Sequence, residues 1–140
     1  MKSLNAYLKS PFEKAKQKPQ EVFVVVKPGF IDKANKIIDI FAEQGFLFKQ
    51  MRTKQLTLNE VKQMYKVHSK EDFYDRLCKY MASGPCLGII FDATGVEKPF
   101  TKTKELKEKI REMFGEDEMH NCLHSSNNKE DMDKESFVFF

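Results

Sequence analysis

Residues Val22 to Val26 read V-F-V-V-V and stop at Lys27-Pro28-Gly29. The run is too short for a helix, and its β-branched and aromatic residues leave no polar face. It therefore predicts a strand buried on both sides, closed by a Pro-Gly turn. Cys86 to Phe91, C-L-G-I-I-F, predicts a second strand of this kind. Phe46 to Lys54 alternates in part, through Phe46 and Phe48, and predicts a further strand. The closing S-F-V-F-F, Ser136 to Phe140, predicts the last of four.

Helical patterns lie between these runs. From Ile31, apolar residues fall at Ala34, Ile37, Ile38, Phe41 and Ala42, and Gly45 stands where a C-terminal glycine ends a helix. Thr57-Leu-Asn-Glu60 has the form of a capping box and opens a short helix through Tyr65. Ser69-Lys-Glu-Asp72 is a second start signal, with Phe73, Leu77 and Met81 as the apolar face that follows and Ser83-Gly84-Pro85 as the break. Leu106, Ile110, Met113 and Phe114 mark another amphipathic helix. Four strands interleaved with two main helices predict an α+β sandwich of the ferredoxin-like kind, a four-stranded antiparallel sheet with helices packed on it.

A chain of 140 residues with 41% hydrophobic and 32% charged residues fits one globular domain. Thirteen Phe and no Trp predict a core built largely from phenylalanine. No apolar run approaches the length of a membrane span, and the first residues lack the apolar stretch of a secretory signal. The three cysteines, Cys78, Cys86 and Cys122, form no C-x-x-C pair and are expected to be reduced, buried thiols of a cytoplasmic protein. A net charge of +3 is too balanced to point to nucleic acid. Five lysines within residues 1–20 set that segment apart as a basic extension of a domain spanning 21–140. The extension is either a solvated tail or an arm for an acidic partner.

Three histidines are present, and His124 alone has a suggestive context, three residues after Asn121 and just before Ser125 and Ser126. Lys27 ends a buried strand, where an ammonium can reach a ligand cleft. Tyr65 and Phe73 flank neighbouring short helices and can serve either as a clamp on a base or as core. The acids from Glu130 to Glu135 read as a solvated helix. No P-loop, no G-x-G-x-x-G and no zinc-like spacing occurs, so no protein-held metal is expected.

Taken together, V-V-V-K-P, F-A-E-Q-G-F, K-Y-M-A-S-G-P and N-C-L-H-S-S-N, in that order, resemble the nucleoside diphosphate kinase family from Val22 to Phe140. The R-x-x-F-G-x-D form from Arg111 is similar to its divergent members, often found in cilia and flagella. The resemblance implies a ping-pong transfer in which His124 takes the γ-phosphoryl of a nucleoside triphosphate and passes it to a diphosphate. It implies that Glu135 holds the other ring nitrogen and that Ser126 bonds to Glu135. Lys27 and Arg111 would neutralise phosphate charge, Tyr65 and Asn121 would line the phosphates and sugar, and Phe73 with Leu77 would stack on the base. Mg2+ would arrive with the nucleotide, held mostly by its phosphates.

Several positions depart from the family pattern. The segment between Pro85 and Arg111 is short, lacks the family's phosphate-gripping arginine and threonine, and leaves Lys102, Thr103 and Lys104 as substitutes. The family's hexamer-building loop falls in the same segment, so a hexamer is not implied. Gly29-Phe30, Glu71 and Ser125 also differ. The alternative expectation is a weakly active or inactive module of the same fold in a cytoskeletal assembly. There the basic arm would dock on tubulin or other proteins of the ciliary axoneme.

Overall fold

The structure is a computed structural model, and it describes residues 18–140. The lysines of the basic arm at positions 2, 9, 14 and 16 lie outside the described residues. The elements run β1 (Glu21–Val26), α1 (Ala34–Glu43), β2 (Leu47–Gln55), α2 (Leu58–Met64), α3 (Tyr74–Met81), β3 (Pro85–Asp92), α4 (Pro99–Phe114), β4 (Leu123–Ser125) and α5 (Lys129–Phe139). Short 3-10 turns occupy Ile31–Lys33 and Lys66–His68. The sheet order is β2-β3-β1-β4, antiparallel throughout. This is the expected ferredoxin-like arrangement.

Helices cover both faces of the sheet, which is why β1 carries no polar side chain between Val22 and Val26. Val22, Val24 and Val26 enter one core with Ile37 and Phe41 of α1 and Leu106 and Ile110 of α4. Phe23 and Val25 enter the other, with Val61 of α2, Leu77 and Met81 of α3, and Met132 and Phe139 of α5. The phenylalanine-rich composition is used in the first core as a cluster in which Phe41 and Phe91 stack at 4.5 Å and Phe41 and Phe46 meet edge to face at 5.1 Å.

The local signals act through identifiable bonds. Gly45 has φ +90°, a left-handed conformation that glycine adopts without a Cβ clash. It lets its own N–H bond to Ala42 O and that of Phe46 bond to Phe41 O, the double closure of a Schellman end. Both halves of the Thr57–Glu60 capping box form, at 3.1 and 2.9 Å. The signal at Ser69 does not cap α3. That helix starts at Tyr74 with Phe73 as its uncapped N-cap, because Lys66–His68 tightens into a 3-10 turn that takes the Ser69 N–H.

One expected strand is corrected. S-F-V-F-F is the last turn of α5, and the fourth strand is the three residues Leu123–Ser125. In a strand, Phe137 and Phe139 would share a face; here Phe137 is 83% exposed and Phe139 only 2%. Burial instead follows Met132, Glu135 and Phe139, a helical period. The helix end is satisfied from β2, where Lys54 Nζ donates to Val138 O at 2.6 Å and Arg52 donates to Phe139 O at 3.3 Å. Cations at a helix C-terminus also suit its partial negative charge.

α5 can lie against the sheet because β3 has a glycine beneath it. A Cβ on Gly88 would stand 2.8 Å from the Phe139 ring and 3.1 Å from Phe23. Gly88→Ala is therefore expected to destabilise the fold by about 1–3 kcal/mol, read from denaturant unfolding, through overpacking under α5. A neutral result would show that α5 is not seated against β3.

Candidate functional site

Antiparallel pairing sets Val24, Val25 and Val26 of β1 opposite Ser125, His124 and Leu123 of β4. His124 therefore sits beside the end of β1, two residues from Lys27, although the two are far apart in sequence. The approach to β4 is sharply bent. Cys122 has φ +82°, and the Leu123 N–H bonds back to Asn121 O at 3.0 Å, closing a three-residue turn of the rare, strained γ type. Cys122 O accepts from the Lys27 N–H at 2.9 Å, so the bend is tied to β1. Gly115 ends α4 just before this loop. A Cβ there would come within 2.6 Å of Arg111 O and 3.0 Å of Asn121 Cα, so only glycine lets the loop fold back onto the helix end.

His124 is bonded through Nε2 to a Glu135 carboxylate oxygen, and both side chains are largely shielded, at 16% and 8% exposure. Glu135 is thus part of α5 as expected, but on its buried face and not solvated. The bond occupies one ring nitrogen and leaves Nδ1. Tyr65 meets the imidazole edge to face, with ring centroids 5.2 Å apart. Burial and the nearby Glu135 push its hydroxyl well above the ordinary phenol range, so it stays a donor. That hydroxyl has no partner, and neither has Ser126 Oγ. The expected Ser126–Glu135 bond is not formed. Exposed His68 continues the row of rings, 6.4 Å from Tyr65 and 5.7 Å from Phe73. Phe73 is 37% exposed and so offers a ring face to solvent, whereas Leu77 below it is buried in the core.

Lys27 is 4% exposed. Its ammonium donates to Asn121 Oδ1 at 2.7 Å and to Met119 O at 3.3 Å, both neutral acceptors. The turn behind it is pinned by the K-Y-M-A-S-G-P segment. The Tyr80 hydroxyl donates to Pro28 O at 2.5 Å, and Gly84 lies so close that a Cβ would stand 3.3 Å from Pro28 Cβ. Arg111 spends its Nε on Leu123 O at 3.0 Å, beside His124, which leaves its two terminal nitrogens. Glu108, 3.9 Å away, is a loose partner for one of them.

Sequence reasoning missed Lys107, one helical turn before Arg111 and buried. No residue between Pro85 and Arg111 other than Lys107 and Thr103 brings a buried polar side chain to α4; Lys102 and Lys104 do not. The three cations oppose one another. Burial first, then Arg111 and Lys107, lower Lys27 from 10.5 to about 7. Burial and Arg111 lower Lys107, and burial lowers Arg111. A cleft of about 430 Å3 opens beside Arg111, lined also by Asn121 and the acids Glu108, Glu116, Asp117 and Glu118 but by neither Lys27 nor Lys107.

The donor set is ammonium, guanidinium, amide and hydroxyl. It suits phosphate oxygens. Among the described residues, no group of three His, Cys, Asp or Glu side chains is placed to hold a metal ion. The cysteines are free and buried, and burial raises the Cys86 and Cys122 thiols to about 12 and about 11. No helix among the described residues is long and apolar enough to cross a membrane.

Residues 20–140 match the family model described as nucleoside diphosphate kinase. The chain is 27% identical over 133 residues to the nucleoside diphosphate kinase of Aquifex aeolicus, a match covering 86% of this chain and 94% of that one. It is 32% identical over 128 residues to that of a Nitratiruptor species, covering 83% and 91%. Human nucleoside diphosphate kinase homolog 5 is 25% identical over 118 residues, 77% of this chain and 56% of that protein. A crystal structure of the Aquifex aeolicus enzyme superposes with a TM-score of 0.76 at 25% identity, covering 88% of this chain and 96% of that one.

The low value at Lys27 carries a measurable consequence. Below pH 7 Lys27 is charged in both folded and unfolded chains, and the fold bears the whole cost of burying it. Between pH 7 and 10.5 only the unfolded chain keeps the proton, so this cost fades and stability rises with pH. The stability of Lys27→Met relative to the natural chain should therefore be greatest near pH 6 and fall toward pH 9, by up to about 1.4 kcal/mol per pH unit. A difference that stays constant with pH contradicts a buried, unneutralised ammonium.

Proposed function

The chain belongs to the nucleoside diphosphate kinase family, and from that membership we propose that it moves the γ-phosphoryl group of a nucleoside triphosphate to a nucleoside diphosphate through a phosphohistidine at His124. The observation that carries the reading is the surround of His124: a carboxylate on one ring nitrogen, a buried Lys27 held only by neutral acceptors, and the unpartnered hydroxyls of Tyr65 and Ser126.

Neutral imidazole is a good nucleophile near pH 7. With Glu135 accepting from Nε2–H, the lone pair rests on Nδ1. Nδ1 forms the bond to the γ-phosphorus while the bond from phosphorus to the β-phosphate oxygen breaks, and the diphosphate leaves. A second diphosphate then takes the phosphoryl back from Nδ1. Glu135 stabilises the positive charge that develops on the ring. Lys27 and Arg111 stabilise charge on the phosphoryl oxygens, the main requirement of this chemistry. A bound phosphate group also supplies the counter-charge that Lys27 lacks, and holds its proton on. Tyr65 and Ser126 offer hydroxyls to the phosphates, Asn121 places Lys27, and Phe73 stacks on the base with Leu77 supporting it. Stacking of this kind tolerates any base. Mg2+ bound to the nucleotide would screen its phosphate charge.

We take residues 21–140 as the kinase-like domain and 1–20 as a basic extension. One observation favours a second reading, a weakly active or inactive binding module: four carboxylates line the cleft beside Arg111 and oppose a polyanion entering there. In that reading the basic extension docks on an acidic cytoskeletal surface such as the tubulin of ciliary microtubules. Loss of co-sedimentation with microtubules on deleting residues 1–20 is its expected signature; no co-sedimentation of the intact chain removes it.

Incubation with γ-labelled ATP is expected to leave acid-labile, base-stable phosphate on the chain, and His124→Ala to abolish it. Glu135→Gln should slow labelling by about a hundredfold. Label persisting in His124→Ala removes His124 as the acceptor, and no label in either protein removes the kinase reading.

A further inference from the structure

We propose that Lys107 is a third phosphate-binding cation, reaching from α4 to the terminal phosphates of the nucleotide held at His124. This inference rests on the nucleotide-binding part of the proposed function and extends it to a residue that no motif marks.

Thr103, Lys107 and Arg111 are spaced four apart on α4 and so form one stripe along the helix. Beside that stripe, Leu106 and Ile110 enter the core under β1 and β4. At one end of the stripe, Arg111 is bonded to the backbone of Leu123, next to His124. Lys107 belongs to the same electrostatic group, since it is among the charges that act on Lys27, and Glu135 is among those that act on it.

Lys107 is nonetheless without a bonded partner. It is 9% exposed, and among the described residues no carboxylate lies within ion-pair distance of its ammonium and no hydrogen bond is formed by it. The hydroxyls of Thr103 and Ser126 are likewise buried and unpartnered. A lysine with so much of its stem buried is ordinarily paired; here the ammonium is unpaired but not sealed from solvent, so it is open to an anion arriving from outside. The carboxylate of Glu135 is engaged by His124. Lys104 adds to the repulsion, and exposed Glu108 is the remaining acid that acts on Lys107.

Two buried lysines, the partly exposed Arg111 and three unpartnered hydroxyls have no side-chain anion that neutralises them together. One carboxylate or one monoanion would leave them under-neutralised. The end of a nucleoside di- or triphosphate supplies several charged oxygens at once, and in low dielectric each contact is strong. Lys107 would then act on the phosphates alone, independently of the base.

The alternative is that Lys107 only lays its stem along the core and leads its head to solvent. Lys107→Met separates the two, with Lys109→Met, exposed on the same helix, as a control for the lost charge. On the full chain, ADP and inorganic tripolyphosphate affinities are measured by calorimetry and the midpoint of thermal unfolding is measured without ligand. Lys107→Met is expected to weaken ADP and tripolyphosphate by at least about tenfold, a factor typical of one charge-assisted contact. The unfolding midpoint should be unchanged or raised, because a repulsive buried charge is gone. Lys107→Arg should recover most of the affinity, and it replaces Lys107→Met as the test if that variant does not fold.

ADP affinity in Lys107→Met equal to that in Lys109→Met overturns the proposal. So does loss of ADP with tripolyphosphate unaffected, or failure of a folded Lys107→Arg to bind better than Lys107→Met. If the natural chain binds ADP but never labels His124, phosphotransfer fails as a reading and Lys107 is still decided by these ratios. If it binds neither probe, both fall.

Discussion

Three residues of backbone pairing, Val24–Val26 against Leu123–Ser125, bring the whole site into being. β4 is an edge strand of minimal length, and its pairing alone sets His124 next to Lys27. A one-residue slip would turn His124 to the opposite face, away from Tyr65 and Glu135. The register is held from both ends. The strained turn at Cys122 bonds to the Lys27 N–H on one side, and the Ser126 N–H bonds to Phe23 O on the other. Arg111 adds a bond to Leu123 O from α4. Strain of this kind persists only where the surroundings over-determine it, as they do here.

The second requirement is that α5 lies close enough for Glu135 to meet His124. Gly88 leaves the room, and Phe139 fills it against Phe23 at 5.6 Å. Arg52 and Lys54 then hold the helix end from β2. The Glu135 carboxylate is therefore positioned by packing on a strand that contributes nothing else to the site. On the opposite side, Tyr80 and Gly84 clamp Pro28, so that Lys27 leaves β1 with its direction already set. The repulsion among Lys27, Lys107 and Arg111 is the cost of this arrangement, and under the proposed function a bound polyphosphate would relieve it.

The layered fold was legible because its signals are local. The apolar run of β1, the Schellman glycine at Gly45 and the capping box at Thr57 each act over a few residues. The ends of the chain were less legible. S-F-V-F-F has the composition of a strand, and what marks it as helical is burial at Met132, Glu135 and Phe139, with Phe139 seated against Gly88 and Phe23. β4 is too short to leave a periodic trace. His124 and Lys27 stood out by their local context, Arg111, Asn121 and Glu135 came from motif resemblance, and the fold brings the five together. Lys107 belongs to no motif and is one of several lysines on a charged helix; what distinguishes it is burial, which depends on the register of α4 against β4.

The central claim is that Glu135 fixes the His124 ring so that Nδ1 is the nucleophile. Nitrogen-15 NMR of the imidazole at neutral pH, before and after exposure to ATP, measures this directly. The expected spectrum has the proton on Nε2 and an unprotonated Nδ1, followed by an Nδ1–phosphorus coupling once phosphate is transferred. A proton resident on Nδ1, or phosphate appearing on Nε2, would contradict the account.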